Sequence, residues 1–94
     1  MRIAEVIGIV TLSRWHPSLE GHRWVIGVPF SLNGIRRKQP DGEDFVILDE
    51  LGAGMGQQVG VSEGTEAAMP FQPAKKPVDA YCACLLDRID VRQP

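Results

Sequence analysis

Cys82 and Cys84 stand two residues apart in the apolar run Ala80-Tyr-Cys-Ala-Cys-Leu-Leu86. On a strand, residues i and i+2 point the same way, so both thiols could face one ion. Two ligands are too few for zinc, and the chain holds no second C-x-C. The thiols read as small buried hydrophobes, free rather than disulfide-bonded. His16 and His22 are flanked by loop residues. Neither Ser13 with His16 nor Ser18 with His22 has a recognisable nucleophile setting. The acids Asp41, Glu43, Asp44, Asp49, Glu50, Asp87 and Asp90 are scattered over turns and strand ends, where Asp ordinarily accepts backbone amide bonds. No carboxylate pair converges for acid–base work. The expectation is a protein with no catalytic residue, no metal and no cofactor, hence not an enzyme.

Gly52-Ala-Gly-Met-Gly56 has the composition of a phosphate loop but not its spacing. It reads G-x-G-x-G, no helical pattern follows, and no Lys-Ser/Thr pair closes it, which excludes a P-loop. A tight turn or bulge between strands is one reading, and close packing against a neighbouring subunit is another. The basic run Arg36-Arg-Lys38 reads as a solvated loop, with an acidic neighbour in an assembly as the functional alternative. Trp15 and Trp24 read as core or interface plugs.

These residues must be positioned by strands. Residues 2–13 alternate, with Ala4, Val6, Gly8, Val10 and Leu12 on one face and Ile3, Glu5, Ile7, Ile9 and Thr11 on the other. Apolar residues on both faces imply that the outer face is also covered, by sheet or by a neighbour. A second strand runs from about His22 to Phe30, with Trp24, Ile26, Val28 and Phe30 on one face. Pro29 must sit where no ladder donor is needed. Residues 31–43 carry two turn dipeptides, Asn33-Gly34 and Asp41-Gly42, and read as a projecting loop or hairpin tip. Further strands are expected at Phe45–Leu48, Gln58–Val61 and Ala80–Leu86, with a continuation at Arg88–Val91. Gly64–Met69 reads as one helical turn with Thr65 as its cap. Pro70, Pro73 and Pro77 imply an extended crossing over 70–77. Five or six short strands predict an all-β, OB-like barrel, since closure removes exposed strand edges.

The chain has 94 residues and is expected to be a single domain, 1–94. A chain this short buries only about 60–65% of its unfolded surface, so burial in an oligomer would help it. Ten basic and 12 acidic residues give a net charge of −2, which does not favour nucleic-acid binding. The aromatic content is 6%, where OB-type nucleic-acid binders interleave aromatics with Arg and Lys. The N-terminus lacks a signal-peptide layout, and the longest uncharged stretch, Trp24 to Ile35, is too short to cross a bilayer. A cytoplasmic protein with no membrane contact is expected.

In order and spacing, several motifs resemble the pentameric vertex proteins of bacterial microcompartment shells. The strongest are Asp49-x-Leu-Gly-Ala-Gly-x-Gly56 and Pro77-x-Asp-Ala80 with Asp87. Ile3 to Val10 with Leu19-x-Gly21 looks like the family's opening segment, and Gly64-Thr-Glu-Ala67 like its G-S-x-A turn. Thr65 stands where serine is usual, Ala68 where a basic residue often follows, and cysteines interrupt the usual aliphatic last strand. The resemblance covers roughly residues 1–91. It implies an OB-like barrel assembled as a homopentamer that caps shell vertices and contacts hexameric shell proteins, with a narrow pore on the five-fold axis. Gly52, Ala53, Gly54, Gly56, Gly64 and Thr65 are then expected at subunit contacts or near that axis. The rival reading is a monomeric or dimeric OB-type module for nucleic acid or another ligand.

Overall fold

A computed structural model describes residues 1–74 and 76–92. Five strands form one closed barrel in the order β1-β2-β3-β5-β4. They are β1 (Arg2–Val10), β2 (Arg23–Pro29), β3 (Phe45–Asp49), β4 (Gln58–Glu63) and β5 (Ala80–Leu85). All pairs are antiparallel except β3 with β5, which meet in parallel at Leu48 and Tyr81. The expected all-β, OB-like barrel is what the chain forms. Its interior holds Ala4, Val6, Val25, Ile47, Val59 and Val61, none exposed to solvent. Pro29 lies beyond the last β2–β3 pair, Gly27 with Phe45, so its missing N–H costs no bond in that ladder.

Two bulges revise the face assignments. Val6 pairs with Gly27 and Gly8 with Ile26, so Ile7 is an additional residue on β1. The alternation therefore breaks at Ile7, and Gly8 joins the outer face with Ile26 instead of sharing the inner face with Ala4 and Val6. On the partner side of the barrel, Gly60 pairs with Cys84 but Val61 with Cys82, which makes Ala83 the inserted residue. Cys82 faces the core with Val61. Cys84 lies on the outer face, where a Cβ on Gly60 would come 2.6 Å from its sulfur. The two thiols do not share a face, because the inserted residue resets the period of two.

On β2, Trp24 and Ile26 share a face as expected; it is the outer one, and Val25 and Gly27 face the core. A second apolar cluster covers that outer face at one end. Leu48, Ala67 and Val78 are buried in it, with Leu19, Trp24, Phe71 and Tyr81 packed around. The cover is a 3₁₀ turn over Gly64–Phe71, longer than expected and with Pro70 inside it. Glu63, not Thr65, occupies the cap position, and no side chain caps the turn.

Residues 31–43 are not a hairpin tip. They contain a short α-helix, α1 (Leu32–Arg37). The Ser31 hydroxyl accepts from the Gly34 amide at 3.1 Å, and Lys38 closes the helix in the left-handed conformation, φ 57°. Asp41 braces the cap by accepting from the Ser31 amide at 2.8 Å and from the Ser31 hydroxyl. Those two bonds, with Arg37 beside them, hold its carboxyl below the ordinary carboxylate value. Residues 88–91 do not extend β5.

Candidate subunit-contact surface

The glycine turn is built around one buried carboxylate. Asp49 ends β3 at 2% exposure, and its oxygens accept from the Leu51 amide at 2.9 Å and the Ala53 amide at 2.7 Å. Arg23, paired with Asp49 across the β2–β3 ladder, donates to the same carboxylate and to the Ala53 carbonyl at 2.7 Å. A buried charge is tolerated when it is both paired and hydrogen-bonded, and Asp49 is both. The turn folds back over the barrel end, and Ala53 inserts into the core with no exposed surface. On its far side the turn is sewn to the β1 bulge. The Gly56 amide donates to the Val6 carbonyl at 2.8 Å, and the Val6 amide to the Gln57 carbonyl at 2.9 Å.

This anchoring sorts the residues expected at a contact. Gly52 and Gly56 have φ of +81°, a conformation that only glycine adopts freely. Gly54 has no such requirement, and a Cβ there would meet nothing within 4 Å. Ala53 packs into the subunit's own core, so its methyl group is covered within the subunit. Around the turn, large apolar side chains stand in solvent. Met55 is 65% exposed, Ile9 58%, and Leu51 and Ile7 nearly half. Ile7 adjoins Val6, to which Gly56 is bonded, so these side chains share one end of the barrel. Exposed apolar side chains of this size are candidates for a contact surface.

Gly64 and Thr65 lie elsewhere. They begin the 3₁₀ turn at the other end of β4, and six strand residues separate the two glycine turns by roughly 20 Å. Gly64, φ +66°, donates to the Asp79 carbonyl at 2.9 Å. Both line an open cleft of about 560 Å³ together with Ala68, Pro73, Val78 and Asp79. The sequence motifs Gly64–Ala67 and Pro77–Ala80 thus meet in space, while Gly52–Gly56 stands apart from them.

The remaining candidates have structural places. Burial, then the nearby Asp49, pushes the Cys82 thiol up to about 12, so it stays protonated and inert. Among the described residues, no three His, Cys, Asp or Glu side chains gather as a metal site would need. No helix of the described residues is long and apolar enough to cross a membrane. In the basic run, Arg37 pairs with Asp41 at 3.5 Å and Lys38 serves as the helix cap. Trp24 packs in the outer cluster, and Trp15 is 46% exposed. Sequence reasoning missed the Arg23 partner of Asp49. An Asp ending a strand just before a glycine turn was the available signal for an amide-accepting carboxylate.

Residues 1–87 match the family model described as ethanolamine utilisation protein EutN/carboxysome. The chain is 29% identical to the bacterial microcompartment shell vertex protein PduN of Salmonella typhimurium, over 95% of this chain and 98% of the relative. It is 33% identical to the carboxysome shell vertex protein CcmL of Synechococcus elongatus, over 97% and 88%. Among solved structures it superposes on the pentameric microcompartment shell protein GrpN of Rhodospirillum rubrum with a TM-score of 0.83 and 27% identity, covering 98% of this chain and all of that one. With CcmL of Gloeobacter violaceus the TM-score is 0.85 at 31% identity, covering 97% and 90%. A closed five-strand barrel, an Asp-anchored glycine turn and a match running through nearly the whole chain agree with one another: the protein belongs to the EutN/CcmL family.

Proposed function

We propose that this chain is a structural subunit of a bacterial microcompartment shell, where it forms a homopentamer that caps the vertices. The observation that carries this reading is the end-to-end superposition on a pentameric shell protein, with neither chain left over by more than a few residues. In this reading the chain is one assembly domain, 1–94, located at the shell, and it is not an enzyme. A shell tiled with hexagons cannot close without pentagons, so the pentamer's rim meets hexameric shell proteins.

Cyclic symmetry makes each contact head-to-tail, with two different patches on every subunit. The surface supports such an arrangement. One patch is the apolar barrel end around Gly52, Gly54, Met55 and Gly56, with Ala53 holding the turn from inside. The other is the cleft at Gly64 and Thr65, about 20 Å away along β4. The test is native mass spectrometry of the purified protein, followed by co-assembly with a hexameric shell protein. A sharp mass of five subunits and closed particles on mixing are expected. A stable monomer across micromolar concentrations overturns the reading.

A further inference from the structure

The basic run of α1 opens onto a cleft of about 380 Å³, whose other wall is the stretch that follows β5. Arg36, Lys38 and Arg88 line it, and so do the carboxylates of Asp87 and Asp90. Arg88 is already paired, because its Nε donates to Asp90 at 3.1 Å. Arg37, the remaining cation of the run, turns to Asp41 at 3.5 Å. Arg36, Lys38 and Asp87 enter no ion pair among the described residues. Arg36 is half-buried, and its Nε is shut off from solvent without an acceptor.

Both walls are fixed by backbone bonds. The Lys38 and Gln39 amides close α1 on the Ile35 and Gly34 carbonyls at 3.1 and 2.9 Å. Opposite them, the Leu86 amide donates to the Gln58 carbonyl at 2.9 Å, which ties the chain just before Asp87 to β4. Between the charged groups, the half-buried Phe30, Ile35, Ile89 and Val91 supply apolar surface. An apolar cavity of about 150 Å³ takes a benzene ring, so this cleft has room for a ligand of about ten non-hydrogen atoms.

A guanidinium carries five donors and no acceptor. The Arg36 guanidinium is held by packing and not by an anion, so an oxyanion in the cleft would meet it with charge-assisted hydrogen bonds. The balance of charge selects the oxyanion. Arg88 and Asp90 neutralise each other, and two cations then face one carboxylate, which leaves a single positive charge. A monoanion balances it, whereas a phosphate dianion sets a second negative charge against Asp87. The apolar walls favour a short hydrocarbon tail. We propose that the cleft between α1 and residues 87–91 binds a small monocarboxylate, its carboxylate on Arg36 and Lys38 and its tail against Ile35, Ile89 and Val91. This site stands on the geometry of one subunit and does not depend on the vertex reading.

The test is a titration of the native full-length protein with sodium hexanoate at pH 8, followed by amide and methyl NMR. Titrations with 1-hexanol and with inorganic phosphate run in parallel at matched ionic strength. Hexanoate should give saturable shifts at Arg36 and at the Ile35, Ile89 and Val91 methyl groups. Hexanol should give none, and phosphate should bind about tenfold more weakly. Arg36→Gln and Lys38→Gln should each weaken hexanoate binding about tenfold, the scale of one hydrogen bond to a charged group. Asp87→Asn should narrow the gap between phosphate and hexanoate. Lys38 and Asp87 are exposed, so these two variants keep the fold, and thermal unfolding checks all three. The absence of saturable shifts at millimolar hexanoate overturns the site, as do equal shifts with hexanol or unchanged affinity in both cation variants. Phosphate binding as tight as that of hexanoate overturns the assignment to a monocarboxylate.

Discussion

Gly54 offers a substitution that separates folding from assembly. Most glycine replacements in this chain would be ambiguous. At Gly52 or Gly56, φ of +81° makes any side chain strain the turn itself. Gly54 lacks that constraint, is exposed, and has open space where a Cβ would stand. Gly54→Trp should therefore leave the isolated subunit as stable as before, within about 0.5 kcal/mol, as for ordinary surface changes. If the turn packs against a neighbour, the same indole must be accommodated in a tight contact, at about 1–3 kcal/mol for each overpacked site. A ring of five repeats that cost at five identical contacts, about 5–15 kcal/mol for the pentamer. Because four association steps share it, the subunit concentration at half-assembly should rise about ten- to several-hundredfold. The assay is native mass spectrometry or light scattering across a dilution series, with thermal unfolding as the folding control. A pentamer that dissociates at an unchanged concentration refutes the placement of this turn at a contact. Loss of assembly together with collapse of the subunit's own stability refutes the claim that Gly54 is free of intrasubunit constraint.

Asp49→Ala removes the acceptor of two loop amides and the partner of Arg23, and should destabilise by about 2–4 kcal/mol, since breaking a buried pair is costly but Arg23 is partly solvated. Equilibrium urea unfolding at fixed protein concentration checks it, and a loss below about 0.5 kcal/mol contradicts the anchoring role. In a Cys84→Ser background, Cys82 should react with a disulfide reagent at pH 8 about a thousandfold more slowly than in the unfolded chain, because its thiol, pushed up to about 12, supplies almost no thiolate. Equal rates in native and unfolded protein would sink that account. Gly60→Ala brings a Cβ within 2.6 Å of the Cys84 sulfur and should cost about 1–3 kcal/mol. Adding Cys84→Ala should recover most of that loss, and additive losses in the double mutant would show that the clash lies elsewhere.

Much of this architecture is legible in the residues, and the failures share a cause. Alternation in Val59 and Val61 or Ile47 and Phe45 identifies core faces because each strand is regular there. Alternation misleads where one residue is inserted. Ile7 and Ala83 look like ordinary strand residues, and nothing in their types announces a bulge, yet each one reverses the faces beyond it. That is why alternation puts Gly8 on the face of Ala4 and Val6, and the two cysteines on one face. Helix α1 was hidden by Asn33-Gly34, which reads as a turn. The Ser31 cap and Asp41 brace override that preference, and both are visible only once residues ten apart are brought together. The proposed contact surface is only partly marked in the residues. The glycine motifs mark the turns, but the exposure of Met55 and Ile9 depends on which barrel end the turn closes. Ala53 looked like a member of the glycine run, yet Asp49 draws its amide inward and the methyl follows.

Closure also constrains how such a subunit can associate. Every strand of the β1-β2-β3-β5-β4 barrel has two hydrogen-bonded neighbours. Four of the five seams are ladders of at least four pairs, which leaves little edge for a partner strand to add to. The weakest seam, β3 with β5, has a single paired position and is covered outside by the cluster of Leu48, Ala67 and Val78. Contacts must then be made by side chains and turns. Under the vertex reading proposed above, these would come from the two ends of β4, where glycine turns keep backbone bulk low and, at the Gly52–Gly56 end, Met55 and Ile9 stand in solvent. Two unlike surfaces at opposite ends of one rigid strand are what a closed ring of identical subunits requires. Affinity between subunits should therefore respond to turn substitutions such as Gly54→Trp far more than to changes on the solvated face of α1.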